Sequence, residues 1–314
     1  MTFYHIDTDM GVDDGLALAL VDSALGDAVA ISTVFGNVPV KMATRNALIF
    51  RHLLRRTATW SILEGAARAS DGFSVDALSV HGDDGLGGAT HALAQSLLDQ
   101  VAKETAIDLG STKLKVDGPV TIIGLGPATN IPELVRNYGH TAVERIVLMS
   151  GVFFDIGNIT PHAEFNAYCD PLALQATLDL GIPVTIVPLD VCRKVQLARS
   201  TVSAYIRSDG SEVTKLIVAS HMHYMDVYGI TEAIDGCFPH DAITVLVALA
   251  PERFFHVSGN VSVECASDLR GLCRITPEDT HVKIVTGGEL RWVRTFLSRP
   301  PSAHQPFSKS SSIA

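Results

Sequence analysis

The sequence predicts an open, mostly parallel α/β sheet flanked by helices, with a small antiparallel addition near the C-terminus. Three observations carry that expectation. Apolar, β-branched runs alternate with helical patterns along most of the chain. The runs are apolar throughout, so helices must cover both faces of the sheet they form. Glycines and polar residues recur just after the runs, and parallel sheets bind ligands beyond the carboxyl ends of their strands.

Taken in order, residues 3–6, 29–33, 120–123, 145–149 and 183–187 read as strands. Residues 41–55, 90–103, 131–138 and 172–180 read as helices between them. The stretch 213–228 is helical in pattern, with Tyr224 and Tyr228 one turn apart. His240-Asp241 then open the apolar run 242–250. Alternation over 260–265 and 271–275 suggests two antiparallel strands, 281–285 offers a third, and 288–297 reads as a last helix. Two long irregular stretches, 64–88 and 153–170, are rich in glycine and polar residues, as functional loops are. No linker divides the chain, so residues 1–300 are expected to form one domain. The Ser-rich tail, 301–314, is expected to be disordered.

The stretch Asp7-Thr8-Asp9-Met10-Gly11-Val12-Asp13-Asp14 puts four carboxylates between an apolar strand and an apolar helix, with the tight turn expected at Gly11. Asp13 and Asp14 suit a first helical turn, where the helix dipole favours negative charge. That explanation leaves Asp7 and Asp9 on the strand end. Four like charges at one junction call for a counter-charge, and carboxylate oxygens suit Ca²⁺ or Mg²⁺. An EF-hand loop would need a glutamate where Leu18 stands. A haloacid-dehalogenase-type phosphatase would need a hydroxyl residue where Gly11 stands. Walker A and GxGxxG patterns are absent from this turn.

Composition narrows the function further. Hydrophobic residues make up 47% of the 314 and charged residues 18%, enough for a large core. A formal charge of -10 and the lack of a basic cluster argue against nucleic acid or an anionic membrane as partner. No apolar run reaches membrane-spanning length and no secretory pattern opens the chain. The five cysteines have no metal-ligand spacing and read as reduced thiols, so a cytoplasmic location is expected.

Singly, the remaining candidates have ordinary explanations. Asp241 resembles a helix N-cap, Gly36-Asn37 a turn, Tyr224 and Tyr228 a packed pair, and Glu164 and Asn166 loop hydrogen-bonders. Together they would open onto one face of one sheet, and their chemistry agrees: carboxylates for a cation, amides for a polyol, a histidine for proton transfer.

These residues, in this order, resemble the inosine-uridine preferring nucleoside hydrolases. The acidic signature lies at 7–14, with Met10 in place of the usual proline. It is followed by Gly36-Asn37-Val38, Val80-His81-Gly82, Gly126-Pro127-Ala128-Thr129-Asn130, Val147-Leu148-Met149, Ala163-Glu164-Phe165-Asn166 and His240-Asp241. The resemblance implies a Rossmann-related fold and a homodimer or homotetramer that releases base and ribose from ribonucleosides. It implies Ca²⁺ held by Asp9, Asp14, Asp241 and the main-chain carbonyl of Leu125, where the family usually has threonine. Asp9 would also take the proton of the attacking water. Asp13, Asn158, Glu164 and Asn166 would hold the ribose hydroxyls, with Asn37 as a further polar contact and Met149 packed by the sugar. His240, or less favourably His81, would protonate the leaving base, under Tyr224 and Tyr228. Neither tryptophan, Trp60 or Trp292, falls in a matching block, which leans the expected specificity toward pyrimidine or broad use. A Mg²⁺ phosphohydrolase using Asp7 and a non-catalytic ribose-binding protein stand as alternatives.

Overall fold

The computed structural model describes residues 2–27, 29–265 and 267–304. Its frame is a ten-stranded sheet in the order β11-β10-β12-β7-β6-β5-β1-β2-β3-β4. The strands are β1 (Phe3–Thr8), β2 (Val29–Thr33), β3 (Ser61–Glu64), β4 (Ile107–Asp108), β5 (Val120–Gly124), β6 (Val143–Met149), β7 (Val184–Val187), β10 (Phe254–Val263), β11 (Cys273–Pro277) and β12 (Val282–Gly288). A separate pair joins β8 (Leu197–Ala198) to β9 (Gly236–Cys237). Every pairing from β12 through β4 is parallel, while β10 pairs antiparallel with β11 and β12, as β8 does with β9. The apolar runs 29–33 and 120–123 are strands buried along their whole length, as a doubly covered sheet requires.

Helices α1 (Val12–Leu25), α2 (Val40–Leu53), α3 (Leu78–His81), α4 (Gln95–Val101), α5 (Ile131–Tyr138), α6 (Phe165–Cys169), α7 (Pro171–Leu178), α8 (Leu189–Cys192), α9 (Arg199–Ser208), α10 (Glu212–Thr231), α11 (His240–Leu249) and α12 (Leu290–Leu297) pack on both faces. Helix α1 is apolar nearly all round because α2, α10 and α11 surround it. Its approach to α2 is close: a Cβ at Gly15 would lie 2.5 Å from the Phe50 ring.

Several expectations need correction. The helix expected over 90–103 is a 3-10 turn, Ala89–Ala92, followed by α4, and the chain between them is extended at Leu93. The strand near 281–285 does not extend an antiparallel appendage alone. As β12 it pairs parallel with β7 and bridges the parallel sheet to β10. Strands β3 and β4 were not expected. They are four and two residues long, too short to carry a periodic signal. The start of the Ser-rich tail is ordered: Pro301–Ala303 form a 3-10 turn, and the Pro301 carbonyl accepts a hydrogen bond of 2.7 Å from Ser23 of α1. Residues 305–314 of that tail lie outside the described residues.

The acidic turn also differs from expectation. Gly11 caps α1 with an ordinary extended φ of -77°, while Met10 takes the left-handed φ of 46°. Gly11 is required for space instead, since a Cβ there would sit 2.6 Å from His81 Nδ1 and 2.7 Å from Asn37 Nδ2. Met10 accepts the strained conformation because its side chain is fully buried in the core. Left-handed backbone costs a non-glycine residue about 1–2 kcal/mol, and fully burying a methionine side chain returns about 1.5–3 kcal/mol. Proline, fixed near φ -65°, does not fit this turn. Met10→Pro is therefore expected to lower stability by more than about 1 kcal/mol, read as a shifted midpoint in urea unfolding. An unchanged midpoint would show that the turn does not hold its left-handed residue.

Candidate active site

The carboxyl ends of β1, β2, β5 and β6 open together, and the polar residues that follow them meet at one cavity of about 240 Å³. Asp13, Asn37, His81, Leu125, Met149, Asn158, Glu164, Asn166, Tyr224, Tyr228, His240 and Asp241 all line it. Asp9 and Asp14 are completely buried just behind the lining.

The acidic cluster is held by neutral donors. Asp14 accepts hydrogen bonds from the Thr8 hydroxyl and from the Gly11 N–H at 2.7 Å. Asp9 accepts from Asn37 twice, from its N–H at 2.7 Å and its side-chain amide at 3.0 Å. Glycine on either side leaves room for Asp9: a Cβ at Gly36 would lie 2.1 Å from its Oδ2, and one at Gly126 3.0 Å from its Cγ. The start of α11 completes the cluster, placing Asp241 in the first turn after Pro239; it is not the N-cap residue. Oxygens of Asp13, Asp14 and Asp241 all lie within 4.8 Å of one another. The Asp9 carboxylate faces Asn37 and stands outside that convergent set.

No lysine or arginine lines the cavity. Burial first, and then repulsion among the neighbouring carboxylates, pushes Asp9, Asp13 and Asp241 above the ordinary carboxylate range; burial likewise raises Asp14. Buried oxygens converging without a counter-charge are the donor set of a hard divalent cation. The residues present fit one.

Asp7 stands apart. It is fully buried, and one oxygen accepts from Ser32 and from Asn130 at 2.8 Å while the other has no partner. Ser32 in turn contacts His5 Nε2 at 2.9 Å, and His5 Nδ1 meets the Tyr138 hydroxyl at 2.8 Å. This buried chain ties β1, β2, α5 and the turn after β5 together behind the cluster.

Along one wall, Asn166 donates its amide to the carbonyls of Leu125 at 2.8 Å and Met149 at 3.1 Å. Glu164 caps α6, accepting from the N–H groups of Gly151, Asn166 and Ala167 at 2.8, 2.8 and 3.0 Å. Burial still pushes its carboxyl up to about 7. Asn158 accepts the Phe165 N–H at 2.8 Å.

The opposite wall is aromatic. The His240 Nε2 lies 3.0 Å from the Tyr228 hydroxyl, itself 3.2 Å from that of Tyr224. The His240 Nδ1 is buried without a partner. His81 accepts the Val12 N–H at Nδ1 (3.0 Å), so a neutral ring carries its proton on Nε2, and it stacks on Tyr224 with centroids 5.1 Å apart. Burial lowers both histidines to about 3.

Sequence reasoning missed Thr8, Ser32, His5 and Tyr138 as supports of the acidic turn, and Asp76, Ser79, Val227, Thr231 and Glu232 as rim residues. Thr8 and Asn130 lay inside motifs that had drawn attention for other residues. The acidic Asp84 beside His81 acts locally, accepting from Leu86, Gly88 and twice from Thr90, and so shapes the glycine-rich loop.

A parallel α/β fold with an acidic, histidine-walled crevice at its strand ends is the architecture of a hydrolase acting on a polar small molecule. Residues 4–294 match the family described as inosine-uridine preferring nucleoside hydrolase, and the chain belongs to that family. It is 34% identical to the pyrimidine-specific ribonucleoside hydrolase RihA of Salmonella dublin, over 82% of this chain and 83% of that protein. It is 31% identical to a probable uridine nucleosidase 2 of Oryza sativa subsp. japonica, over 86% and 79% respectively. Among solved structures, the plant nucleoside hydrolase PpNRh1 superposes with a TM-score of 0.84 at 27% identity, covering 96% of this chain and 99% of that one. The reaction class is thus hydrolysis of ribonucleosides at the N-glycosidic bond.

The charge balance predicts a pH signature. A carboxyl with a raised folded-state pKa favours the fold while protonated, and loses that contribution as pH rises through the raised value. Histidines lowered to about 3 act oppositely and cost stability only below about 6.5. Between pH 6.5 and 8.5 the carboxylates set the sign, so metal-free protein is expected to melt at lower temperature at the higher pH. A hard divalent cation at a hundredfold excess over its Kd at pH 8.5 should stabilise it by about 2–3 kcal/mol there, and by less at the same concentration at pH 6.5. A thermal shift that is equal or larger at pH 6.5 would contradict the cluster as the binding site.

Proposed function

We propose that the protein hydrolyses ribonucleosides, uridine and related pyrimidine nucleosides foremost, with a calcium ion held in the acidic cluster. The observation that carries this reading is the meeting of unpaired buried carboxylates and a neutral His–Tyr wall in one cavity. Asp14 and Asp241 are the core of the donor set, with Asp9 and the Leu125 carbonyl beside them and Asp13 turned toward the sugar. A cation bound there supplies positive charge that acidifies water and draws in vicinal hydroxyls.

The chain's own residues supply the rest. Asp9, oriented by both nitrogens of Asn37, accepts the proton of the attacking water. Asp13, Asn158, Glu164 and Asn166 hold the sugar so that C1′ faces that water, and Met149 packs beneath it. As the glycosidic bond lengthens, negative charge collects on the base. With Tyr228 as the donor to His240 Nε2, the ring proton sits on Nδ1, the unpartnered atom, which donates a hydrogen bond that stabilises the charge on the departing base. His81 offers Nε2–H from the side.

Pyrimidine preference rests on the names of the relatives and on the lining, which contains tyrosines but neither Trp60 nor Trp292. A phosphohydrolase reading needs Asp7 as nucleophile, yet Asp7 is sealed behind the cavity by Ser32 and Asn130. A cytoplasmic homodimer or homotetramer is part of the proposal.

Asp9→Ala is expected to keep the thermal transition of the folded chain and lose at least about a thousandfold in kcat on uridine, followed by release of reducing sugar. A chelator should abolish wild-type turnover and calcium restore it. Near-normal turnover by Asp9→Ala would remove Asp9 from the mechanism. Tight nucleoside binding without sugar release by the wild type would make the protein a binder.

A further inference from the structure

The mouth of the crevice has two walls that share no element. One is the loop after β6, residues 150–164, which delivers Asn158, Ile159 and Glu164. The other is the C-terminal end of α10, which delivers Tyr224, Val227, Tyr228, Thr231 and Glu232. Hydrophobic burial does not fix the outer part of the loop, because Phe154 and Ile156 are 69% and 64% exposed. Polar grips from α8 and the residue after it hold it instead. Asp190 accepts the N–H groups of Phe153 at 2.9 Å and Phe154 at 2.6 Å. Arg193 donates to the Ile156 carbonyl, reaches the Gly157 carbonyl at 3.5 Å, and pairs with Asp155 at 3.4 Å. The same guanidinium lies 3.9 Å from Glu232 on the far wall. Beyond Glu232 the helix ends, and Ala233 is left-handed with φ 56°, so this corner is set by its contacts more than by backbone preference.

We propose that Arg193 is a positioning residue that clamps the two walls of the crevice across its mouth, with Glu232 as its partner, and so fixes the gap through which the nucleoside base is admitted and held. The inference rests on the nucleoside hydrolase reading of this cavity. A planar guanidinium suits that role because its fork engages carbonyls on one wall and a carboxylate on the other. The base stands between those walls, so loosening them weakens substrate binding while leaving the acidic cluster intact.

The test measures uridine hydrolysis by the full chain with calcium present, in wild type, Arg193→Ala, Arg193→Lys, Glu232→Gln and the Arg193→Ala/Glu232→Gln double variant, alongside amide hydrogen exchange. Arg193→Ala is expected to raise KM about tenfold with kcat within about threefold, the mark of lost binding shared by ground and transition states. Glu232→Gln should raise KM about two- to threefold, a half-exposed pair being weak. It should add nothing in the Arg193→Ala background, because the pair acts as a unit. Arg193→Lys should fall between, keeping charge but losing the fork. Exchange should rise in both 153–160 and 224–232 when Arg193 is truncated. Additive KM effects, or faster exchange confined to 153–160, would overturn the clamp, as would an unchanged KM in a folded Arg193→Ala. Wild type that releases no sugar from uridine or inosine defeats the nucleoside hydrolase reading instead, and exchange across 224–232 then decides the clamp alone.

Discussion

Everything in this structure answers to one electrostatic constraint: Asp9, Asp13, Asp14 and Asp241 are buried together with no cation of the chain among them. Burial and mutual repulsion both oppose ionisation, so the cluster leans on neighbouring donors and suits a foreign positive charge. The surroundings read as a response. Thr8 and the Gly11 N–H serve Asp14, and Asn37 serves Asp9. Gly36, Gly11 and Gly126 have no side chain because one would collide with these groups. Helix α1 must then be apolar all round, since its first turn is the site and its remaining faces meet α2, α10 and α11.

Much of this was legible in the sequence, for a physical reason. Strands buried on both faces are apolar throughout, and β2, β5 and α5 stand where the pattern places them. The residue types of the site were equally visible as an ordered set, although singly most of them had ordinary explanations such as capping or turn chemistry. The missing parts were those fixed by distant partners. Strand β4 is two residues whose place depends on β3. Strand β12 was readable as a strand, but not that its neighbour would be β7. The geometry within the acidic turn was also hidden. The family resemblance groups Asp9 with Asp14 and Asp241, and the structure adds that oxygens of Asp13 converge with those of Asp14 and Asp241. A single left-handed residue, Met10, rotates the chain between Asp9 and Asp13, and composition does not record φ.

The aromatic wall shows the complementary constraint. Tyr228 and Tyr224 would ordinarily be a packed helical pair, and they are one, yet their hydroxyls form a chain that ends on His240. Burial keeps both histidines uncharged at neutral pH. The crevice therefore gathers its buried carboxylates at the strand ends and the first turn of α11, and faces them with uncharged histidines and tyrosines from α3, α10 and α11. A nucleoside has the same polarity, a hydroxyl-rich sugar at one end and a flat, weakly polar base at the other.

That matching polarity links the site to the fold. The sugar end is built on β1, β2, β5 and β6, whose ends cannot move without breaking the sheet. On the proposed reading, the base end is built on the last turns of α10, tied across the mouth by side chains to the outer part of the loop after β6. Positioning the reacting carbon demands rigidity, and the sheet supplies it. Admitting and releasing a base demands walls that can part, and contacts at 3.4–3.9 Å between half-buried charges are weak enough to permit that. The division between a chemical half fixed by backbone pairing and a recognition half fixed by side chains lets the base preference change without disturbing the carboxylate cluster. On the proposed reading, the preference is written in Tyr224, Tyr228 and the Arg193–Glu232 pair more than in the acidic turn.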